Sequence, residues 1–160
     1  MIHGLINSKK DKMKKIKYKI IVLLIGVLLT SCQEEVKDIK IYNLPVYKNL
    51  YLVGDATPAG WDINKPSPMT VNPVNEFEFT WEGQLTPGQF KIPVSVGNWS
   101  TDFFMPIADG ESNLSKTTCK LVKGGNPDQK WVITDNTKGL YKLTVNIENL
   151  ESPTIKFELK

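Results

Sequence analysis

The sequence predicts an all-β domain of short antiparallel strands, closed as a sandwich or a barrel, and three observations predict it. Several segments alternate strictly between apolar and polar residues. Glycine- and proline-rich turns interrupt them at short intervals, and past residue 31 no stretch keeps a helical period. Period-two alternation gives a strand one buried and one wet face, and two such sheets hide their apolar faces by packing against each other.

The elements follow in order. Residues 50–53 are a short apolar run stopped by Gly54-Asp55. Residues 76–84 place Phe77, Phe79 and Trp81 opposite Glu76, Glu78, Thr80 and Glu82. Residues 139–149 set Tyr141, Leu143, Val145 and Ile147 against Lys142, Thr144, Asn146 and Glu148, and residues 155–159 set Ile155, Phe157 and Leu159 against Lys156 and Glu158. Weaker strand patterns cover 89–95, 102–107, 118–122 and 130–134. Turns are expected at 58–60, 66–68, 87–88, 124–127 and 138–139, where glycine and proline break the pattern. Trp81 shares a face with two phenylalanines and Trp131 lies in strand-like text, so both are expected in the core. Residues 48–160 thus make one domain without internal repeat, a normal size for a β-sandwich.

The first 47 residues read differently. Lys14, Lys15, Lys17 and Lys19 precede the apolar run 20–29, which is ten residues long and is followed by the small residues Thr30 and Ser31. Ten is far short of the roughly 20 residues a membrane-spanning helix needs, so 1–31 reads as a secretory signal. Met13 opens a compact signal of its own and competes with Met1 as the start. Leu29-Thr30-Ser31-Cys32 resembles a bacterial lipobox. That resemblance implies cleavage before Cys32, acylation of Cys32 and a stable anchor once two or more acyl chains are present. Gln33-Glu34-Glu35 resembles the acidic export tag of surface lipoproteins in Bacteroidota, which implies the outer face of the outer membrane. Residues 32–47 are polar, aperiodic and contain Pro45, a tether able to reach at most about 50 Å.

Composition removes several function classes. Of 20 basic and 17 acidic residues, seven Lys and one Asp lie in 1–31, which leaves 13 basic and 16 acidic residues and a net charge of −3. No basic cluster remains for phosphate, so nucleic acid is not an expected partner. The single histidine, His3, precedes the domain, so no histidine-dependent triad or His-ligated metal site is expected there. Arginine is absent from the chain. With Cys32 assigned to lipid, Cys119 has no intramolecular partner and is expected to be buried and inert. A hydrolytic pair needs two carboxylates about 5–10 Å apart, and no spacing among Asp55, Asp62, Asp102 and Asp109 singles one out. Neither an enzyme nor a cofactor is expected, and no EF-hand spacing suggests calcium.

The strings Leu50-Tyr51-Leu52-Val53-Gly54-Asp55-Ala56-Thr57-Pro58-Ala59-Gly60-Trp61-Asp62, Phe90-Lys91-Ile92-Pro93, Gly97-Asn98-Trp99, Phe103-Phe104-Met105-Pro106, Asp128-Gln129-Lys130-Trp131 and Gly139-Leu140-Tyr141-Lys142-Leu143 occur in that order. Together they resemble the carbohydrate-binding modules of the SusE/SusF outer-membrane starch-binding lipoproteins, over about residues 48–160. The resemblance implies an immunoglobulin-like antiparallel β-sandwich that binds starch-like α-glucan without catalysis, beside a TonB-dependent glycan importer. Carried over by position, Trp61 and Trp99 are the stacking pair, Lys91 donates to sugar hydroxyls, and Lys130 takes the second basic position. Two departures stand out: a lysine point donor replaces the planar fork of arginine, and one module stands where the family links several.

Each residue has a plainer reading. Trp61 follows a glycine-rich turn and would serve as a core plug; Trp99 stands in a polar loop, where an indole needs a reason to be present; Lys91 alone would be a solvated lysine. Burial of both tryptophans would favour the alternative function, a scaffold lipoprotein of an importer complex whose glycan site is different or lost.

Overall fold

The computed structural model describes residues 47–160; the expected signal peptide, the lipidated Cys32 and residues 32–46 of the tether lie outside the described residues. The described chain carries eleven strands. They are β1 (Tyr51–Leu52), β2 (Ser67–Pro68), β3 (Thr70–Asn72), β4 (Asn75–Leu85), β5 (Gly88–Phe90), β6 (Ile92–Pro93), β7 (Phe103–Pro106), β8 (Cys119–Val122), β9 (Trp131–Ile133), β10 (Gly139–Asn146) and β11 (Thr154–Leu159), with a 3-10 turn at Lys123–Gly125. Every ladder is antiparallel: β11-β10-β4-β3 form the largest sheet, and β1-β2, β5-β9 and β6-β7-β8 build the facing layer. The fold is an antiparallel β-sandwich, and its sheets do not close into a barrel.

The alternating segments end up where their pattern demands. On β4 and β10, Phe79 pairs with Val145 and Trp81 with Leu143, all buried, while Glu82 opposes Lys142 on the wet face. Their apolar face meets Leu52, Phe90, Ile92, Phe104, Trp131 and Ile133 from the other layer. Gly83 is required by this packing: a Cβ there would sit 2.4 Å from the Trp81 indole. Cys119 is buried at the start of β8, and burial pushes its thiol up to about 12.

Three differences from the sequence-based expectation position the site. Residues 66–68 were expected to turn, yet Ser67–Pro68 pairs with β1 and Thr70–Asn72 with β4. Both are edge strands, where proline is tolerated and neither face need be apolar, so no alternation betrays them. The expected strand 89–95 is divided at Lys91, whose backbone pairs with Val53 while β5 pairs with β9 and β6 with β7. Tyr47, placed at the end of the tether, is docked on the domain: its hydroxyl donates to Asp102 at 2.7 Å and its ring meets Phe104 edge-on at 5.9 Å.

The segments that flank Lys91 in space are buried on both faces. In the apolar runs 52–53 and 103–105 both faces of the strand are buried. Leu52 and Phe104 point into the main core, whereas Val53, Phe103 and Met105 point the other way and join Ile63 and Val122 in a second, smaller cluster. This outer cluster is the floor on which the candidate site stands.

Candidate functional site

Two loops carry the exposed tryptophans to one place. The turn after β1 is tightened by hydrogen bonds from Gly54 N to Gly60 O (2.7 Å), from Thr57 N to Gly54 O (2.9 Å) and from the Thr57 hydroxyl to Gly54 O (2.8 Å). Gly54 has φ 144°, and a Cβ on it would lie 2.1 Å from Gln89 O, so the turn can lie against β5 only because this residue has no side chain. Trp61 leaves this turn with its ring outward. The second loop, between β6 and β7, is closed by Val94 N to Asp102 O (3.1 Å) and by the Asn98 side chain accepting from Ser100 N (2.8 Å), with Trp99 between them. Gly97 N donates to Ile63 O at 2.8 Å and thereby ties the loops together.

The two indoles stand 6.3 Å apart with their planes tilted by 44°. Trp61 is 38 % exposed and Trp99 44 %, so neither plugs the core. Trp99 lies nearly parallel to Phe103 of the outer cluster, 12° between planes and 6.3 Å between centroids. Gly125 of the 3-10 turn packs against this pair; a Cβ there would come within 3.0 Å of the Phe103 ring and 3.2 Å of Trp99 O.

Lys91 enters from below and is only 5 % exposed. Its Nζ lies 4.2 Å from the Phe103 centroid and 5.1 Å from that of Trp99, within cation–π range of both. The same ammonium donates to Asp128 Oδ1 at 2.6 Å, and Lys130 Nζ donates to Asp128 Oδ2 at 2.7 Å. Burial alone would raise the Asp128 carboxyl, but the hydrogen bonds from Lys130 and Lys91, with their charges, outweigh it and hold the group below its ordinary value. A buried ammonium with a carboxylate partner and two ring faces is well compensated, which explains how a lysine occupies this position.

All four residues singled out in the sequence, Trp61, Lys91, Trp99 and Lys130, therefore meet on one patch, linked through Asp128. The surroundings of Lys91 differ from those of a freely reaching donor, because its ammonium is already engaged by Asp128 and the rings. Asp128 itself was missed: it is one aspartate in a polar loop, and nothing in its own neighbourhood marks it. A signal existed only in combination, as an acidic residue two positions before a basic one in a motif whose other lysine is remote in sequence. Among the described residues no group of His, Cys, Asp and Glu could hold a metal ion.

Comparison of the chain with protein-family models, with curated proteins and with solved structures finds no match.

Proposed function

We propose that this patch binds a neutral glycan without catalysis, most readily a starch-like α-glucan, and that the protein is a surface-anchored lipoprotein that captures glycan beside an importer. One observation carries the reading: Trp61 and Trp99 are adjacent, exposed and tilted by 44°. A sugar ring presents an apolar C–H face, and an indole held by its loop meets that face at little entropic cost. Two tilted rings suit a ligand whose successive sugars turn relative to each other, as in an α-linked chain, better than a flat ribbon. Exposed tryptophans on tied loops are also uncommon without a partner, since isolated apolar surface is normally spread singly.

The lipid anchor at Cys32, the outer membrane and the TonB-dependent importer enter as expectations from the leader and the resemblance. Affinity electrophoresis in gels containing amylopectin or pullulan tests the glycan reading. The protein should be retarded, and Trp61→Ala and Trp99→Ala should each restore free migration. Stacking on an aromatic contributes about 1–3 kcal/mol per ring when judged from nucleic-acid bases, so either loss should weaken binding by about tenfold or more. Unretarded wild-type protein in every α-glucan gel would reject the starch assignment.

A further inference from the structure

We propose that Asp128 is the group that reads hydroxyls at this site, accepting from two hydroxyls on adjacent carbons of one pyranose, and that Lys91 is the positioning residue that holds it there. The inference rests on the reading of Trp61 and Trp99 as a glycan platform. Of the polar groups around Trp99, Lys91 is 5 % exposed and its ammonium is shared between Asp128 and two rings. Two of its three N–H donors lack an oxygen partner, but at 5 % exposure they are enclosed by the rings and offer a ligand little access. Asp128 keeps half of its side chain exposed, 50 % against 6 % for the Lys91 side chain.

Valence points the same way. Each carboxylate oxygen offers about two acceptor positions. Lys91 takes one on Oδ1 and Lys130 one on Oδ2, so one acceptor remains on each oxygen. One free acceptor on each oxygen of a planar group can take two neighbouring donors, the pairing that makes bidentate hydrogen bonds to carboxylates specific. The distances from Lys91 Nζ to Asp128 Oδ1 (2.6 Å) and to the Trp99 centroid (5.1 Å) bring that oxygen within about 8 Å of the ring centre. At that distance the carboxylate is near enough for rim hydroxyls of a pyranose stacked on Trp99 to meet it. The lysines keep Asp128 ionised, and a hydroxyl bound to a charged acceptor makes a stronger bond than one bound to a neutral acceptor.

This fixes a ligand class: a neutral sugar with a free vicinal diol. An O-methylated or O-acetylated ring has no proton to donate, and a sulfate or carboxylate on that edge meets like charge.

Calorimetry on the full chain, held in a detergent without a sugar headgroup, tests the assignment with three probes. They are maltoheptaose, its derivative methylated at every O6, and its derivative methylated at every O2 and O3. Wild type should bind the first two alike and the third about tenfold or more weakly. Asp128→Asn should bind the unmethylated probe about as weakly as wild type binds the third probe. Equal wild-type affinity for all three, or Asp128→Asn binding like wild type, overturns the assignment and leaves Asp128 as a tie between lysines; the glucan reading survives that result. If wild type binds none of the three, the glucan reading falls and takes this assignment with it. The probe series on wild type needs no folded variant.

Discussion

At the scale of single residues, Lys91 shows how a charged side chain is kept inside a protein. Its stem fills space beside the outer cluster, while its head is satisfied by Asp128, Trp99 and Phe103. Buried ion pairs are often matched in stability by an apolar side chain of equal volume, while a cavity or an orphaned charge costs more. Lys91→Met should therefore change unfolding free energy by less than about 1.5 kcal/mol, whereas Lys91→Ala should lose about 2–4 kcal/mol, both read from urea denaturation. Equal effects of the two substitutions would contradict the packing role. At this scale the sequence was informative about residue types and silent about partners. Tryptophan in polar text is conspicuous, so Trp61 and Trp99 could be selected; an aspartate that becomes important only by meeting two lysines through space cannot be.

At the scale of elements, β10 lies between β4 and β11 and carries the cleanest alternation in the chain. Leu143 on it is fully buried and Leu140 is half exposed. Leu143→Ala should cost about 2–5 kcal/mol and Leu140→Ala no more than about 0.5 kcal/mol, measured by thermal or urea unfolding. The long strands were legible because burial of one face alone writes a period of two into the sequence. The short ones were not. β2 and β3 are edges with no apolar face to conserve, and the strand 89–95 divides because three different partners take successive residues, information held by Val53, β7 and β9. A second contact at this scale joins Tyr47 to the 3-10 turn through Asp102, which accepts from the Tyr47 hydroxyl, from Lys123 Nζ at 2.8 Å and from Gly124 N at 3.0 Å. Burial raises the Asp102 carboxyl, but these hydrogen bonds and the Lys123 charge win and hold it below its ordinary 3.8. A carboxyl lowered by folding contributes stability that is complete above its unfolded value and lost as pH falls through the folded one. The stability gap between wild type and Asp102→Asn should be widest at neutral pH and close as pH drops below about 4, followed by urea midpoints. A gap independent of pH would remove the ionic explanation.

At the scale of the whole molecule, one main core and one outer cluster share the sheet of β6, β7 and β8, so the face that carries the candidate site is backed by apolar packing on both sides. Cys119 reports on the larger of the two. Its thiol is buried and pushed up to about 12, and the thiolate is the reactive form. Alkylation mapped at Cys119 should therefore be negligible in the folded protein and should appear with the same denaturant midpoint as the far-ultraviolet signal. Labelling well before that midpoint would mean that β8 opens separately from the rest. Fold class was the most legible property at this scale, since alternation and turn spacing suffice for it. The choice of a sandwich over a barrel was legible through the resemblance and not through alternation, because closure depends on which edges meet.

The tilt between Trp61 and Trp99 also has an optical consequence. Two indoles held 6.3 Å apart at 44° are close enough for their transitions to couple, and they should split their shared absorption into a pair of circular-dichroism bands of opposite sign. Trp81 and Trp131, packed in the core, lie outside that pair. Removing either exposed indole should abolish the split, and a guest that changes the angle should alter its amplitude. The indole pair thus carries its own readout, independent of any ligand.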